Sequence, residues 1–136
     1  MSSFINELKS HGYRITAARR GIVEIFLHNS TPLTAKDVEK QLDKKNIKVN
    51  KTTVYREINF LIKREFIREL LLQSDSIHYE KTALGHHHHL ICDVCGNIED
   101  INLNNESKLF EEIMNQSRFE VQNHLLEFYG KCSNCS

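Results

Sequence analysis

The chain has 136 residues and carries 18 Lys+Arg against 18 Asp+Glu, so its formal net charge is zero. This length allows one or two small domains. No apolar run approaches the roughly 20 residues that a membrane-spanning helix needs, and no basic start leads into a long apolar run as in a secretory signal peptide. We therefore expect a soluble, cytoplasmic protein, in which the 4 cysteines are more typical of metal ligation than of disulfides.

The zero net charge conceals an uneven distribution along the chain. Residues 1–84 carry 15 Lys+Arg and 10 Asp+Glu, and residues 85–136 carry 3 and 8, which gives +5 and −5. A basic half suits a polyanion such as nucleic acid, and an acidic half rich in histidine suits cations. On charge alone, chance solvation of two surfaces is the alternative.

The first half of the chain predicts helices. Apolar residues recur at helical spacing in segments that cover residues 4–8, the stretch from 16 onward, 34–45 and 50–62. Thr34 is a predicted N-cap, and Asp37 three residues later would complete a capping box. Asn50 is a predicted cap for the next helix.

A predicted hairpin follows these helices. Residues 66–72 and 77–81 are short strand-like runs separated by a polar turn at 73–76. Helices closed by a two-stranded wing indicate a winged helix-turn-helix domain over residues 1–82, with a hinge that starts at residue 82.

The remaining residues, 83–136, predict a smaller α/β domain. Its predicted elements are strands at 88–92 and 97–103, a helix at 105–117 and a final strand at 119–129. The fold class is therefore α+β, with helices and a hairpin first and a mixed domain second.

Two CxxC motifs stand 36 residues apart in this second domain, at Cys92/Cys95 and Cys132/Cys135. Each motif presents two thiolates from one tight turn, and two motifs complete a tetrahedral zinc site of four cysteines with no open position. Such a site is structural rather than catalytic. Free buried thiols or a redox pair are the alternatives.

Four consecutive histidines, His86 to His89, precede the first CxxC motif. Side chains alternate along a strand, so His87 and His89 would face one way and His86 and His88 the other. Neutral imidazole suits zinc, iron, manganese, nickel or copper. Candidate partners are Glu80, Asp100 and His124, and a solvated polar strand is the alternative.

The segment 51–61 is the candidate DNA-reading helix. Its apolar stripe leaves Thr53, Tyr55 and Arg56 facing outward. Arg can pair with guanine in the major groove, and Tyr can pack on thymine methyl groups. Further phosphate-binding charge comes from Arg14, Arg19 and Lys51. An ordinary solvated helix is the alternative.

Taken together, these motifs resemble the ferric uptake regulator family over essentially the whole chain. The motifs that carry the resemblance are residues 14–19, residues 53–56, residues 86–96 and His124, which stands eight residues before Cys132. The resemblance implies a metal-responsive transcription regulator, in most cases a repressor. It also implies a homodimer with an N-terminal winged helix and a C-terminal α/β dimerisation domain, which binds an AT-rich palindromic operator.

The resemblance also implies roles for individual residues. Tyr55 and Arg56 match the base-reading pair, and Arg14 matches the minor-groove residue. The structural zinc site would be formed by Cys92, Cys95, Cys132 and Cys135. A regulatory hinge site would be formed by Glu80, His87, His89 and Asp100. A second C-terminal site would be formed by His86, His88 and His124, with Glu106 one residue from the usual glutamate position.

One departure from the family pattern concerns the sensed metal. Pro32 stands where the family's iron and peroxide sensors usually place a histidine ligand. The regulatory ion is therefore left open between Zn²⁺, Fe²⁺ and Mn²⁺, beside the structural Zn²⁺. The rival classes are a metal-storage or chaperone module without DNA binding and a zinc hydrolase. The chain has no HExxH motif, so we expect no enzyme.

Overall fold

The computed structural model describes residues 2–72 and 75–136. It contains two compact units, Met1–Gly85 (unit 1) and His86–Ser136 (unit 2). The boundary lies close to the one expected after residue 82. No helix in the described ranges is both long and apolar enough to cross a membrane.

Unit 1 contains the expected helices and a small sheet. In chain order its elements are α1 Ser3–Ser10, α2 Ala17–His28, β1 Leu33–Thr34, α3 Ala35–Lys44, α4 Lys51–Lys63, β2 Ile67–Leu70, β3 His78–Lys81 and a 3₁₀ turn at Thr82–Leu84.

Polar side chains set the starts of these helices. Thr34 Oγ1 accepts the Asp37 backbone N–H at 3.1 Å, and the Asp37 carboxylate accepts the Thr34 N–H at 2.9 Å. Asn50 Oδ1 accepts the Thr53 N–H at 2.7 Å. Each bond to a first-turn N–H satisfies a donor that has no partner within the helix. The predicted capping box and the predicted cap at Asn50 are both present.

The wing has one strand more than predicted. The sheet order is β1-β3-β2, because Leu33 and Thr34 pair with Tyr79 and His78 of β3. A pairing of two residues is too short to leave an alternating pattern in the sequence, so only the tertiary structure shows it. Gln73 and Ser74 of the predicted turn lie outside the described residues.

The core of unit 1 lies where α2, α3 and α4 meet. Phe26, Val38 and Ile58 are each at most 1% exposed. Gly21 allows close packing at this point, since a Cβ there would lie 2.7 Å from Ile47 Cδ1 and 3.0 Å from Leu42 Cδ2. The apolar stripes read from the sequence are therefore the buried faces of these helices.

Unit 2 is a three-stranded sheet with one helix. Its elements are β4 His88–Cys92, β5 Ile98–Ile101, α5 Glu106–Ser117 and β6 Glu127–Gly130. The sheet order is β5-β4-β6, with β4 antiparallel to β5 and parallel to β6.

The last strand is much shorter than the predicted 119–129. β6 pairs in parallel with β4 from His89↔Glu127 to Cys92↔Gly130. Because β4 begins at His88, residues before Leu126 have no strand beside them among the described residues of this unit. The alternation that predicted a longer strand therefore finds no partner, and the segment is irregular.

Little apolar surface is buried within unit 2. Among the residues that the structure describes, Cys92 is the one buried apolar residue of unit 2, and all the others belong to unit 1. Its most exposed large apolar residues are Leu125, Phe119 and Val94. A unit of this kind needs other stabilisation, from a bound metal or from association.

Candidate metal centres and nucleic-acid interface

The four cysteines meet at one end of the unit 2 sheet. Their sulfur atoms lie within 4.8 Å of one another. The first CxxC turn follows β4 and closes with a Gly96 N–H to Cys92 carbonyl bond at 2.9 Å. Gly96 has φ 76°, which a glycine adopts without strain. The second CxxC turn follows β6, the parallel neighbour of β4.

The sulfur geometry fits zinc. Zn–S bonds of about 2.3 Å in a tetrahedron put sulfur atoms about 3.8 Å apart, and Cys95 Sγ lies 3.7 Å from Cys132 Sγ. The backbone N–H groups of Cys95 and then Cys132 lower the pKa of Cys92 to about 6. A hydrogen bond to the Cys132 sulfur, then one to Cys95, raises the pKa of Cys135 to about 12. One sulfur is thus prepared as a thiolate, whereas the proton of Cys135 must leave before it can bind a metal.

A second cluster joins three imidazoles to one carboxylate. His86 Nε2 lies 3.0 Å from Glu106 Oε2, and His124 Nε2 lies 3.1 Å from Glu106 Oε1. His88 Nε2 also contacts Glu106 Oε1. His88 begins β4 and His86 lies two residues before it, Glu106 begins α5, and His124 precedes β6. The structure therefore brings together all four residues of the predicted second C-terminal site.

A hydrogen bond from the other ring nitrogen of His88 orients its Nε2. Nδ1 lies 3.0 Å from the Leu126 carbonyl oxygen, which can only accept, so Nδ1 carries a proton. In a neutral ring, the Nε2 lone pair then faces the Glu106 oxygen. Two acceptors in contact need a proton or a metal ion between them, and a backbone carbonyl behind a ligating imidazole is typical of metal sites.

The ionisation of Glu106 agrees with this arrangement. Burial opposes the charged form, but the hydrogen bonds from His88 and His86 outweigh it, so the pKa of Glu106 lies below its usual value. The carboxylate is thus available as an anionic ligand.

A third cluster occupies the other face of β4. His87 Nε2 lies 3.2 Å from His89 Nε2, and these atoms lie 3.8 and 3.6 Å from Asp100 Oδ1. Asp100 is the cross-strand partner of His89. Zn–N bonds of about 2.0–2.1 Å in a tetrahedron would put the two nitrogens about 3.3 Å apart. The predicted alternation of the four histidines between two faces is confirmed.

Glu80, the remaining residue of the predicted hinge site, belongs to β3 of unit 1. Its side chain is 1% exposed and pairs with Arg68, whose Nε and Nη2 donate to Oε1 at 3.0 and 2.7 Å. Arg68 Nη2 also donates to the Gly85 carbonyl oxygen at 2.6 Å. This arginine was not singled out from the sequence, because nothing in the local pattern shows that strand neighbours β2 and β3 place it beside Glu80.

The outer face of α4 carries the side chains predicted to read DNA. Lys51 and Arg56 are exposed, Tyr55 is 42% exposed, and Thr53 is half-buried beside its Asn50 cap. Arg14, in the segment before α2, is also exposed. These side chains are accessible to a polyanion.

Arg19, predicted to contact a phosphate, forms an ion pair within unit 1. Its guanidinium forms an ion pair with Glu57, with Nε–Oε2 at 2.8 Å and Nη2–Oε1 at 3.2 Å. The Arg19 side chain is 15% exposed and the Glu57 side chain 11%. Its charge is therefore neutralised within unit 1. Glu57 was missed, although its position three residues after Val54, on the apolar face of α4, was a usable signal.

Comparisons with known proteins agree on one family. The model of the ferric uptake regulator family matches residues 10–129. A ferric uptake regulation protein from Campylobacter upsaliensis is 30% identical over 142 residues, which cover 100% of this chain and 88% of that protein. The peroxide operon regulator of Bacillus subtilis is 30% identical over 132 residues, which cover 97% of this chain and 90% of that protein.

Among solved structures, the chain is similar to the ferric uptake regulator from Francisella tularensis with iron. The TM-score is 0.79 at 28% sequence identity, and the match covers 91% of this chain and 95% of that one. The similarity therefore extends over both units.

Proposed function

Because the chain belongs to the ferric uptake regulator family, we propose that it is a metal-responsive, DNA-binding transcription regulator that acts as a repressor. The observation that carries this proposal is the combination, in the described part of one chain, of a winged helix with an exposed Tyr55-Arg56 pair and three clusters of metal-ligating side chains. Members of this family bind DNA as dimers, so we expect a homodimer. We place the protein with its DNA in the cytoplasm.

The cysteine cluster is proposed to hold the structural zinc. Four sulfur atoms leave no open coordination position, so this ion would stabilise the fold and carry out no chemistry. It would fasten β6 and the residues after it to the first CxxC turn, which follows β4.

The two histidine clusters are proposed as regulatory sites for Zn²⁺, Fe²⁺ or Mn²⁺. The hinge site takes His87, His89 and Asp100 of unit 2 together with Glu80 of unit 1. The second site consists of His86, His88, His124 and Glu106. Imidazole and carboxylate ligands suit all of these metals, which is why the donor set does not select among them.

Metal binding at the hinge is proposed to favour the arrangement of the two units that fits an operator. A ligand shifts such an equilibrium only through its different affinities for the two states, and a shift from mostly one to mostly the other needs about 5 kcal/mol. Buried Pro32 stands where related sensors usually have a histidine, so the bridge would rest on Glu80 alone from unit 1.

The operator is proposed to be an AT-rich palindrome. Tyr55 and Arg56 would read bases in the major groove, and Lys51 and Thr53 would contact phosphates. Arg14 would enter the narrow minor groove of an A·T tract, whose enhanced negative potential attracts arginine. A two-fold symmetric dimer matches the symmetry of such a site.

We propose no enzymatic role. A hydrolytic zinc needs an open position and a positioned base, and the cysteine cluster supplies neither. A metal-storage module without DNA binding is the alternative function. The exposed basic and aromatic side chains on α4 favour the regulator.

The test is DNA binding by the full-length protein as a function of metal. Fluorescence anisotropy on a duplex selected from a random library should show binding with Zn²⁺, Fe²⁺ or Mn²⁺ and loss of binding after chelation. Binding that ignores metal would remove the sensing role. No selected sequence with any of the metals would favour storage.

A histidine variant tests the hinge site. His87→Ala combined with His89→Ala should lose about one regulatory ion per chain and the metal dependence of DNA binding, while the cysteine-bound zinc remains. The matched control is His11→Ala with His28→Ala, since each of these exposed rings bonds at 2.8 Å to the backbone carbonyl of the fourth residue before it. A hinge variant that keeps every regulatory ion contradicts the assignment.

A further inference from the structure

Arg19 and Glu57 form a two-pronged ion pair inside unit 1, although they are far apart in the sequence. The planar guanidinium places Nε and Nη2 on the two carboxylate oxygens at 2.8 and 3.2 Å. Both side chains are largely withdrawn from solvent. A fork-to-fork contact fixes orientation as well as distance, which a single point charge such as lysine cannot do.

The same guanidinium has two further contacts. Nη1 donates to the backbone carbonyl of Arg14 at 3.0 Å. The guanidinium carbon also lies 3.8 Å from the centre of the Phe60 ring, one turn after Glu57 on α4. One side chain therefore connects the segment before α2 to the inner face of α4.

Glu57 is the inward neighbour of the exposed pair. Tyr55 and Arg56 are exposed, whereas Glu57 is 8% exposed. An unpaired carboxylate on the inner face of the reading helix would carry a desolvation cost and repel a nearby phosphate, so its partner must come from the protein. Arg19 supplies that partner and in doing so orders the backbone at Arg14.

We propose that Arg19 and Glu57 are positioning residues for DNA recognition. This pair, here called the Arg19–Glu57 clamp, sets the position of Arg14 relative to Tyr55 and Arg56, so that minor-groove and major-groove contacts occur in one register. The inference rests on the proposed function. It assigns Arg19 no contact with DNA.

We expect the Arg19–Glu57 clamp to fix the position of Arg14 more than it raises the free energy of unfolding. A buried ion pair often adds little net stability compared with apolar packing, because removing both charges from water offsets their attraction. Breaking it on one side still disturbs the contacts that depend on it. Loss of the clamp should therefore change which DNA is preferred while the unit remains folded.

The experiment uses the full-length, metal-loaded protein and two duplexes. The first is the duplex selected by the wild type, and the second has its flanking A·T pairs replaced by G·C. The wild type should prefer the first by about tenfold or more, as expected for altered base pairs in a site. Arg14→Ala should remove most of this preference.

Glu57→Gln and Arg19→Lys should each reduce the preference about fivefold, a coupling typical of residues in one network. The double variant Arg14→Ala/Glu57→Gln should lose no more than Arg14→Ala, because the clamp acts through Arg14. Salt dependence separates this from a phosphate contact. A lost contact lowers the slope of log affinity against log salt by about one, whereas these variants should keep the wild-type slope.

Glu24→Gln is the matched control. Glu24 lies on α2, as Arg19 does, and its carboxylate forms an exposed ion pair with Lys45 at 3.7 Å. It should retain the wild-type preference. Arg19→Lys keeps the charge beside Glu57 and is the second variant if Glu57→Gln unfolds.

If both clamp variants keep the wild-type preference for the first duplex, the clamp proposal alone is overturned. The same holds if the losses of Arg14→Ala and Glu57→Gln multiply in the double variant. A wild type that selects no duplex would overturn both the clamp and the proposed function.

Discussion

Replacing Cys132 by serine is expected to remove the zinc and unfold unit 2, while unit 1 stays folded. Besides its sulfur atom, Cys132 contributes backbone hydrogen bonds to the cluster. Its backbone N–H lies 3.4 Å from Cys92 Sγ, and its carbonyl accepts the Cys135 N–H at 3.0 Å. The substitution therefore disturbs the second CxxC turn as well as the coordination.

The expected magnitude follows from how little else holds unit 2 together. Cys92 is the one buried apolar residue among those described in this unit, and the exposed fractions of Leu109, Ile113 and Met114 are 44%, 37% and 48%. Structural zinc contributes about 10–16 kcal/mol in small zinc domains. That is as large as the whole net stability of about 5–15 kcal/mol expected for an ordinary domain. The loss should therefore unfold unit 2 rather than weaken it.

Hydrogen exchange measured by mass spectrometry, together with zinc analysis, tests this for each unit. The Cys132→Ser chain should bind about one zinc fewer, and the amides of β4 and β6 should exchange at unprotected rates. Amides of α2 and α4 should keep their protection, because their core is independent of zinc. Ser133→Ala, an exposed change within the same CxxC turn, is the control and should behave as wild type.

One result would refute this reasoning. If Cys132→Ser loses its zinc and the amides of β4 and β6 stay protected, packing or dimer contacts stabilise unit 2 instead of the metal. Sedimentation of the same sample would then separate these two causes, since only dimer contacts require a dimer without zinc.

Three further predictions concern the core, the second metal site and pH. Phe26→Ala should lower the free energy of unfolding of unit 1 by about 3–5 kcal/mol, measured by denaturant titration. The control is Leu27→Ala, which should lower it by about 1 kcal/mol or less, because Leu27 is 36% exposed. Glu106→Gln should weaken metal binding at the second histidine site in calorimetry and leave the cysteine-bound zinc in place; equal affinity would exclude Glu106 as a ligand. The pKa of the Cys135 thiol is raised to about 12, so zinc uptake by the apoprotein should release protons. The zinc affinity, measured with a competing chelator, should therefore weaken as the pH falls from about 8 to about 6. An affinity independent of pH would contradict this prediction.

Local features of the sequence were sufficient for much of this fold. The capping box at Thr34 and Asp37 and the cap at Asn50 depend on residues three apart, so they can be read without a structure. The pairing of His87 with His89 follows from the two-residue period of a strand. The spacing of the CxxC motifs likewise predicts that four sulfurs meet.

Contacts between distant residues were decided only by the tertiary structure. The sequence predicted a two-stranded wing and a last strand over 119–129, but whether an extended segment becomes a strand depends on a neighbour being present. Leu33 and Thr34 have such a neighbour in β3, and residues before Leu126 have none among the described residues of unit 2.

The charged side chains show the same division most clearly. The sequence by itself determined that unit 1 is basic and that Arg19 lies at the start of α2, which suggested contact with DNA. In the tertiary structure, Arg19 Nε lies 2.8 Å from Glu57 Oε2, so the Arg19 side chain forms an ion pair within the protein. Charge is a property of the residue, whereas the partner that neutralises it is set by helix packing across 38 positions of the chain.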